Sequence, residues 1–185
     1  MIFCRGGHGV HSPFVFDLIA TVIEERCYYY CYDSLGHERK TRGIRDCFTE
    51  RENQLFFRLA NRFKPRTIYM TGSDLDLTRL YLTSHSTHVR CVEVYDELDS
   101  DIDMIIWGRN VREIFDEEAF EKILSHINDK SVMVVSGIST SRKSAEAWKR
   151  ICASPRVTVT LDLYSLGIVF FNPKLHRKTY KSLVI

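Results

Sequence analysis

The chain of 185 residues has no apolar run that approaches the length of a membrane-spanning helix, and its first residues lack the pattern of a signal peptide. We therefore expect no membrane segment and a cytoplasmic location. A strong excess of charge is also missing, because 26 Lys and Arg residues face 24 Asp and Glu residues, for a net charge of +2. This balance does not by itself indicate a nucleic-acid partner. Internal repeats and low-complexity segments are absent.

The six cysteines are scattered and do not have the regular spacing of a disulfide framework. In a chain long enough to bury a hydrophobic core, this favours free thiols. Three short His and Cys pairs are present, His8 with His11, His85 with His88 and Cys27 with Cys31, but none is joined by a second ligand pair at a suitable spacing. The sequence therefore predicts no metal site.

Capping signals mark two helices in the first third of the chain. Ser12 and Pro13 fit an N-cap and a first helical position, and apolar residues then recur at helical spacing as far as Ile23. The signal is poor over residues 27–47, which we interpret as a surface connection with one short helix. Thr49 and Glu52 form a capping box that opens a second long helix.

Strands and helices alternate in the rest of the chain. Strands are predicted at Thr67–Thr71, Val89–Val94, Met104–Trp107 and Ser131–Val135, and helices at 75–85, Glu117–Ile127 and Ser144–Ile151. Apolar strands that alternate with helices indicate a parallel sheet covered on both faces. The final strands, RVTVTLDL and LGIVFF, are separated by only two residues and predict an antiparallel hairpin. We assign residues 1–48 to an N-terminal helical extension and 49–185 to one compact α/β domain.

A glycine and an acid after the first two of these strands indicate a ligand site. Gly72 follows the first strand, and Glu93 ends the second strand about 20 residues later, which is the spacing of a dinucleotide or adenosyl site. The loop lacks further glycines, so Gly72 can equally be a tight turn that any such fold requires. Glu93 can equally be a solvated acid at a strand end.

Three segments of the chain resemble bacterial class I S-adenosylmethionine-dependent methyltransferases: GGHGVHSPFVFDLI, NQLFFRLANRFKPRTIYMTGS and SAEAWKRICASPRVTVTLDLYSLGIVFF. The resemblance implies a Rossmann-like, mostly parallel sheet with helices on both faces and an antiparallel C-terminal hairpin. It also implies a residual cofactor site at Gly72, Ser73, Asp74, Glu93 and Trp107. In that site Glu93 matches the acid that accepts hydrogen bonds from the ribose hydroxyls.

Several positions depart from the pattern of this family. Its first strand ends in an acid followed by a glycine-rich turn, but Met70 takes the place of the acid and Asp76 that of the later glycine. In the family, the end of the fourth strand provides an acid, whereas this chain has Trp107 in place of that acid. The family's fifth strand ends in paired aspartates that help bind a metal in related O-methyltransferases. Here that strand ends in Ser136 and Gly137, which cannot supply two carboxylates to a hard cation.

The connection Tyr95–Asp103 is also shorter than in the family, which inserts a helix, a strand and another helix at this point. Nine residues fall below the dozen or more that a parallel crossover normally needs. We therefore expect a nearly extended link and the loss of one wall of the adenine pocket.

These departures lead to the hypothesis of a shortened, degenerate methyltransferase-like protein that has lost S-adenosylmethionine binding and catalysis. It would act through protein contacts, as a homodimer or as the partner of an active paralogue, and need neither cofactor nor metal. Two alternatives stay open. One is a methyltransferase with a reduced cofactor site, and the other is a nucleic-acid-binding module that uses Arg39–Arg45 beside Tyr28–Tyr30.

Overall fold

The computed structural model describes residues 3–4, 11–43, 47–98, 101–108 and 117–182. The helices are α1 (Pro13–Leu18), α2 (Cys31–Arg42), α3 (Glu50–Phe63), α4 (Asp76–Thr83), α5 (Glu117–Leu124) and α6 (Arg142–Ala153). The strands are β1 (Phe3–Cys4), β2 (Thr67–Thr71), β3 (Arg90–Val92), β4 (Ile102–Trp107), β5 (Ile127–Ser136), β6 (Val159–Asp162), β7 (Leu166–Phe170) and β8 (Lys178–Ser182). A π-helical turn, Ile19–Ile23, continues α1.

The strands form one sheet in the order β1-β8-β6-β7-β5-β4-β2-β3. All neighbouring strands are parallel except β7, which runs antiparallel to both β5 and β6. The predicted mostly parallel sheet and its C-terminal antiparallel hairpin are therefore confirmed. The strands β8 and β1, which extend the sheet beyond the hairpin, were not predicted.

The side chains of β2, β4, β5 and β7 alternate between two hydrophobic clusters, one on each face of the sheet. In β2, the side chains of Ile68 and Met70 lie in the first cluster together with residues of α1, the π-helical turn, α3 and α4. Tyr69 packs against the second cluster, which contains residues of α5 and α6. This alternation follows from the period of two in a strand and places helices on both faces.

Both predicted caps are confirmed. The Ser12 hydroxyl accepts a hydrogen bond from the backbone N–H of Val15, and Pro13 occupies the first turn of α1. At α3, the Thr49 hydroxyl accepts from the Glu52 N–H while the Glu52 carboxylate accepts from the Thr49 N–H at 2.8 Å. These contacts satisfy amide groups that the start of a helix leaves without partners.

The predicted short helix within residues 27–47 is longer than expected, because α2 has 12 residues. Its apolar signal is weak, since among its described side chains only Tyr32 and Leu35 are buried, and they pack with Phe57 and Tyr81 in a third, smaller cluster. Two buried residues at a spacing of three do not give a clear helical pattern in the sequence.

The link from β3 to β4 passes beneath β2 on the face that carries α5, and it is not extended throughout. A 3₁₀ turn occupies Tyr95–Glu97, which corrects the expectation of a nearly extended segment. The Tyr95 ring packs on Tyr69 with centroids 6.4 Å apart, and its hydroxyl donates to the Lys122 carbonyl at 2.9 Å. Since α4 crosses on the opposite face, a right-handed return from β3 to β4 has to use this one.

Candidate functional site

The five residues of the expected cofactor site lie at the carboxyl edge of β2, β3 and β4. In the sheet register Thr71 lies opposite Trp107, and Tyr69 lies opposite Val92. The residues that follow these strands therefore reach the same edge, which is where open α/β sheets bind their ligands. The fold thus gathers the site residues that the sequence places far apart.

The ends of β2 and β4 meet backbone to backbone. The Gly108 N–H donates to the Thr71 carbonyl at 2.7 Å, and Gly72 adopts a φ of 138° that favours glycine. A Cβ added at Gly108 would lie 2.6 Å from the Thr71 oxygen, and one at Gly72 would lie 3.3 Å from the Gly108 Cα. Gly108 is therefore needed for this close contact, while the backbone conformation of Gly72 favours glycine at that position. Gly108 was not recognised from the sequence as a site residue, although a glycine directly after an apolar strand is a signal for such a close contact.

The Glu93 carboxylate forms an ion pair with Arg79 of α4. The two side chains are 45% and 41% exposed, so the pair lies at the surface of the edge. In the family that the sequence resembles, this acid would accept hydrogen bonds from ribose hydroxyls, and here a guanidinium takes that place. Arg79 was not recognised from the sequence, because only the packing of α4 beside β3 brings it to Glu93.

The turn between β2 and α4 carries two acids, Asp74 and Asp76. The Ser73 hydroxyl donates to the Asp74 carboxylate at 3.2 Å, and Asp74 has a left-handed φ of 54°. Asp76 is the first residue of α4, whose N-cap Leu75 provides no side-chain hydrogen bond. Acids at this position stabilise the helix dipole, and they also oppose a second negative charge there.

Apolar side chains fill the two strand-end positions where the family has acids. Met70 is fully buried in the first cluster, and Trp107 is half-buried against the second cluster. Ser136 ends β5, and the next residue, Gly137, has a φ of 69° and donates its N–H to the Ser165 carbonyl at 2.7 Å. In the part of the chain that the structure describes, no three His, Cys, Asp or Glu side chains are grouped so that they could hold a metal ion.

The thiols of Cys91, in β3, and Cys27, before α2, are not activated as nucleophiles. Burial raises the pKa of the Cys91 thiol, with Arg79 lowering it and Glu93 raising it to a lesser extent. At the exposed Cys27, the hydrogen bond with the Glu25 side chain raises the thiol pKa. A raised pKa keeps a thiol protonated at neutral pH, whereas nucleophilic chemistry requires the thiolate.

The exposed aromatic residues of the N-terminal part and the basic segment lie in or beside α1 and α2, and the chain that follows α2 reaches the edge where the Cys47 N–H donates to the Asp74 carbonyl at 3.4 Å. Phe14 packs on Phe170 with ring centroids 5.0 Å apart, whereas Phe16 is 49% exposed. Tyr28 and Tyr30, which precede α2, are 66% and 90% exposed. The basic segment that begins at Arg39 lies at the end of α2, and its last residues, 44–45, fall outside the described part of the chain.

No model of a known protein family matches the chain, and no curated protein matches it. Solved structures do match. An O-methyltransferase from Streptomyces achromogenes, TomG, in complex with S-adenosylmethionine has 13% identity and a TM-score of 0.56, over 84% of this chain and 94% of that one. An O-methyltransferase from Bacillus cereus in complex with S-adenosylhomocysteine has 12% identity and a TM-score of 0.55, over 85% and 97%.

A third solved structure, the methyltransferase PaMTH1 from Podospora anserina with bound S-adenosylhomocysteine, has 9% identity and a TM-score of 0.58, over 86% of this chain and 96% of that one. At such low identity these likenesses concern the fold alone. The chain has the class I methyltransferase fold. Among the described helices, none has the length and apolarity needed to cross a membrane.

Proposed function

We propose that this chain is a methyltransferase-fold protein that neither binds S-adenosylmethionine nor transfers methyl groups, and that it acts through contacts with other proteins. The observation that carries the proposal is that the apolar side chains of Met70 and Trp107 occupy the strand-end positions where the resembled family has acids, and the ion pair between Arg79 and Glu93 adds to this effect. A ribose would have to displace a charged donor from the carboxylate, and hydrogen bonds between two charged groups are stronger than those from a neutral hydroxyl.

The ion pair alone would be a small obstacle, because an exposed salt bridge contributes only about 0–1 kcal/mol. The larger effect comes from the acids that are missing at Met70 and Trp107. A hydrogen bond to a charged group contributes about 1.5–3 kcal/mol, so two missing bonds reduce affinity by roughly 10²- to 10⁴-fold. Asp74 and Asp76 add repulsion against the carboxylate of the cofactor. Together these effects would move a micromolar affinity into the millimolar range or beyond.

The proposed protein contacts would use apolar side chains that the fold leaves at the surface. Phe16 is 49% exposed, Val94 53% and Tyr164 74%. Val94 follows β3 at an end of the sheet, where backbone groups can pair with another strand. Either a second copy of the chain or an active paralogue would fit this role, and size-exclusion chromatography with light scattering distinguishes a self-associated protein from a monomer.

Thermal unfolding in the presence of S-adenosylhomocysteine tests the proposal. A ligand at a hundred times its dissociation constant raises the free energy of unfolding by about 2.7 kcal/mol, which corresponds to roughly 5 °C or more for a protein of this size. We expect no shift at millimolar ligand. A clear shift that disappears in Glu93→Ala would contradict the proposal.

A second candidate function is methyl transfer with a reduced cofactor site built from Gly72, Ser73, Asp74 and Glu93. It is supported by the position of Glu93 at the end of β3 and by solved neighbours that carry S-adenosylmethionine or S-adenosylhomocysteine. In this case the Arg79 side chain would move away when the ribose binds, and the thermal shift described above would be observed.

A further inference from the structure

An open cleft with a volume of about 820 Å³ lies at the amino ends of the strands, opposite the candidate cofactor edge. This volume is within the range of small-molecule sites. Unlike a typical apolar pocket, the cleft is lined mainly by charged groups. Its lining residues are Phe63, Lys64, Arg66, Asp101, Asp103, Ile127, Asn128, Asp129, Lys130 and Arg156.

Two of the three aspartates in the cleft are held by neutral groups of the protein. The Asp103 carboxylate accepts hydrogen bonds from the backbone N–H groups of Arg66 at 2.8 Å and Thr67 at 3.0 Å, and so fixes the start of β2. The Asp101 carboxylate accepts from the side-chain amide of Asn128 at 3.3 Å. Neither of these acids therefore neutralises a cation of the cleft by direct pairing.

The four cations of the cleft, Lys64, Arg66, Lys130 and Arg156, are all exposed, and none forms an ion pair with another residue of the described segments. Asp129 has no hydrogen bond to the described residues, and the four cations of the lining exceed its three carboxylates by one positive charge. The guanidinium and ammonium groups that are not ion-paired can therefore donate to an anion that enters this concave surface.

We propose that this cleft binds a small polyanion that carries two or more phosphate or carboxylate groups. Arg66 and Arg156 can each present a planar pair of N–H donors to such a group, while Lys64 and Lys130 act as point charges. The proposal is independent of the state of the cofactor edge, which lies at the other end of the strands.

Calorimetric titration of the full chain with tripolyphosphate and, separately, with citrate at an ionic strength of about 0.1 M, where the Debye length is about 10 Å, tests this inference and distinguishes the two kinds of anion. We expect saturable binding of at least one of them. The double variant Arg66→Gln, Arg156→Gln removes two fork-shaped donors, and we expect roughly tenfold weaker binding or more. Both side chains are exposed, so folding should be retained, and circular dichroism checks this.

The matched control is Lys149→Gln, Lys174→Gln, which removes the same charge from exposed positions outside the cleft. We expect its affinity to stay within roughly threefold of the parent, as long-range effects of solvated charges are small. Absence of binding by the parent chain at millimolar anion would overturn the inference. Equal weakening in the two double variants would also overturn it, because the binding would then depend on overall charge alone.

Discussion

At the scale of single residues, the carboxyl edge of the sheet combines one acid that suits a ribose with an arginine that pairs with it. Arg79 lies on α4, the helix that connects β2 to β3, and Glu93 follows β3. The contact therefore forms within the same βαβ unit that creates the edge. The fold is unchanged by this ion pair, but the Glu93 carboxylate of the candidate site is already occupied by the Arg79 guanidinium.

Removal of this pair should have little effect on stability. We expect a double-mutant cycle with Arg79→Ala and Glu93→Ala to give a coupling free energy below about 1 kcal/mol, because both side chains are more than a third exposed and solvent screens their attraction. Urea unfolding of the four proteins measures it. A coupling of roughly 3 kcal/mol or more would mean that the pair has a structural role that its exposure does not explain.

A side chain at Gly108 should destabilise the edge. In Gly108→Ala the new Cβ would lie 2.6 Å from the Thr71 oxygen, so the ends of β2 and β4 would have to separate. We expect a loss of about 1–3 kcal/mol in the free energy of unfolding, measured in urea.

Gly36→Ala is the matched control. Gly36 lies within α2, and the nearest atom to its added Cβ is a Glu50 carboxylate oxygen at 3.7 Å. This change should raise stability by about 0.5–1 kcal/mol, since alanine loses less backbone freedom in a helix than glycine does. A Gly108→Ala protein as stable as the parent would show that the two strand ends separate easily.

His85, at the end of α4, should make stability dependent on pH. Neither ring nitrogen has a hydrogen-bond partner in the described structure, and burial lowers the pKa of His85, although the Leu82 backbone partly opposes this effect. Since the pKa in the folded state lies below that of the unfolded chain, the unfolded state binds the proton first as the pH falls. We expect the free energy of unfolding to decrease as the pH falls below about 6.5.

The measurement is urea unfolding of the parent chain and of His85→Gln between neutral and mildly acidic pH. The variant should lose less stability than the parent over this interval, because its side chain does not titrate. Identical pH profiles for the two proteins would show that the His85 ring reaches solvent in the folded state.

At the scale of helices and strands, the sequence predicted the elements that carry strong local signals. Thr49 and Glu52 mark the start of α3, and the apolar run around Ile106 marks a buried strand, so both were located from their own residues. The strand β8 was missed, and the length of the helix α2 was underestimated. Their stability depends on partners that are distant in sequence: Tyr32 packs on Phe57, and Lys178 begins a strand only because β6 lies beside it.

Loss of the α3 cap should destabilise the chain measurably. Thr49→Ala removes the hydroxyl that accepts the Glu52 N–H, and we expect a loss of about 0.5–2 kcal/mol in thermal or urea unfolding. Glu52 is buried and also accepts a hydrogen bond from Ser165 of the β6–β7 turn at 3.2 Å, so release of its side chain would affect the hairpin as well. Thr87→Ala, at an exposed position, is the control and should change stability by less than about 0.5 kcal/mol.

At the scale of the whole molecule, the fold depends on the general apolar pattern of the sequence, whereas the candidate site depends on the identity of a few residues. The methyltransferase architecture follows from apolar periodicity along strands and helices, and many side chains serve that purpose equally well. The site depends on a few polar positions and on which of them meet in space. The presence of Glu93 could be read from the sequence, but its pairing with Arg79 and the contact of Gly72 with Gly108 required the packed structure.

Calorimetric titration of the intact chain with S-adenosylmethionine tests the central claim most directly. We expect no saturable heat up to millimolar cofactor, both for the parent and for Arg79→Ala, because release of Glu93 alone does not restore the acids absent at Met70 and Trp107. Saturable binding at micromolar cofactor that is abolished by Glu93→Ala would contradict the account and establish a working cofactor site.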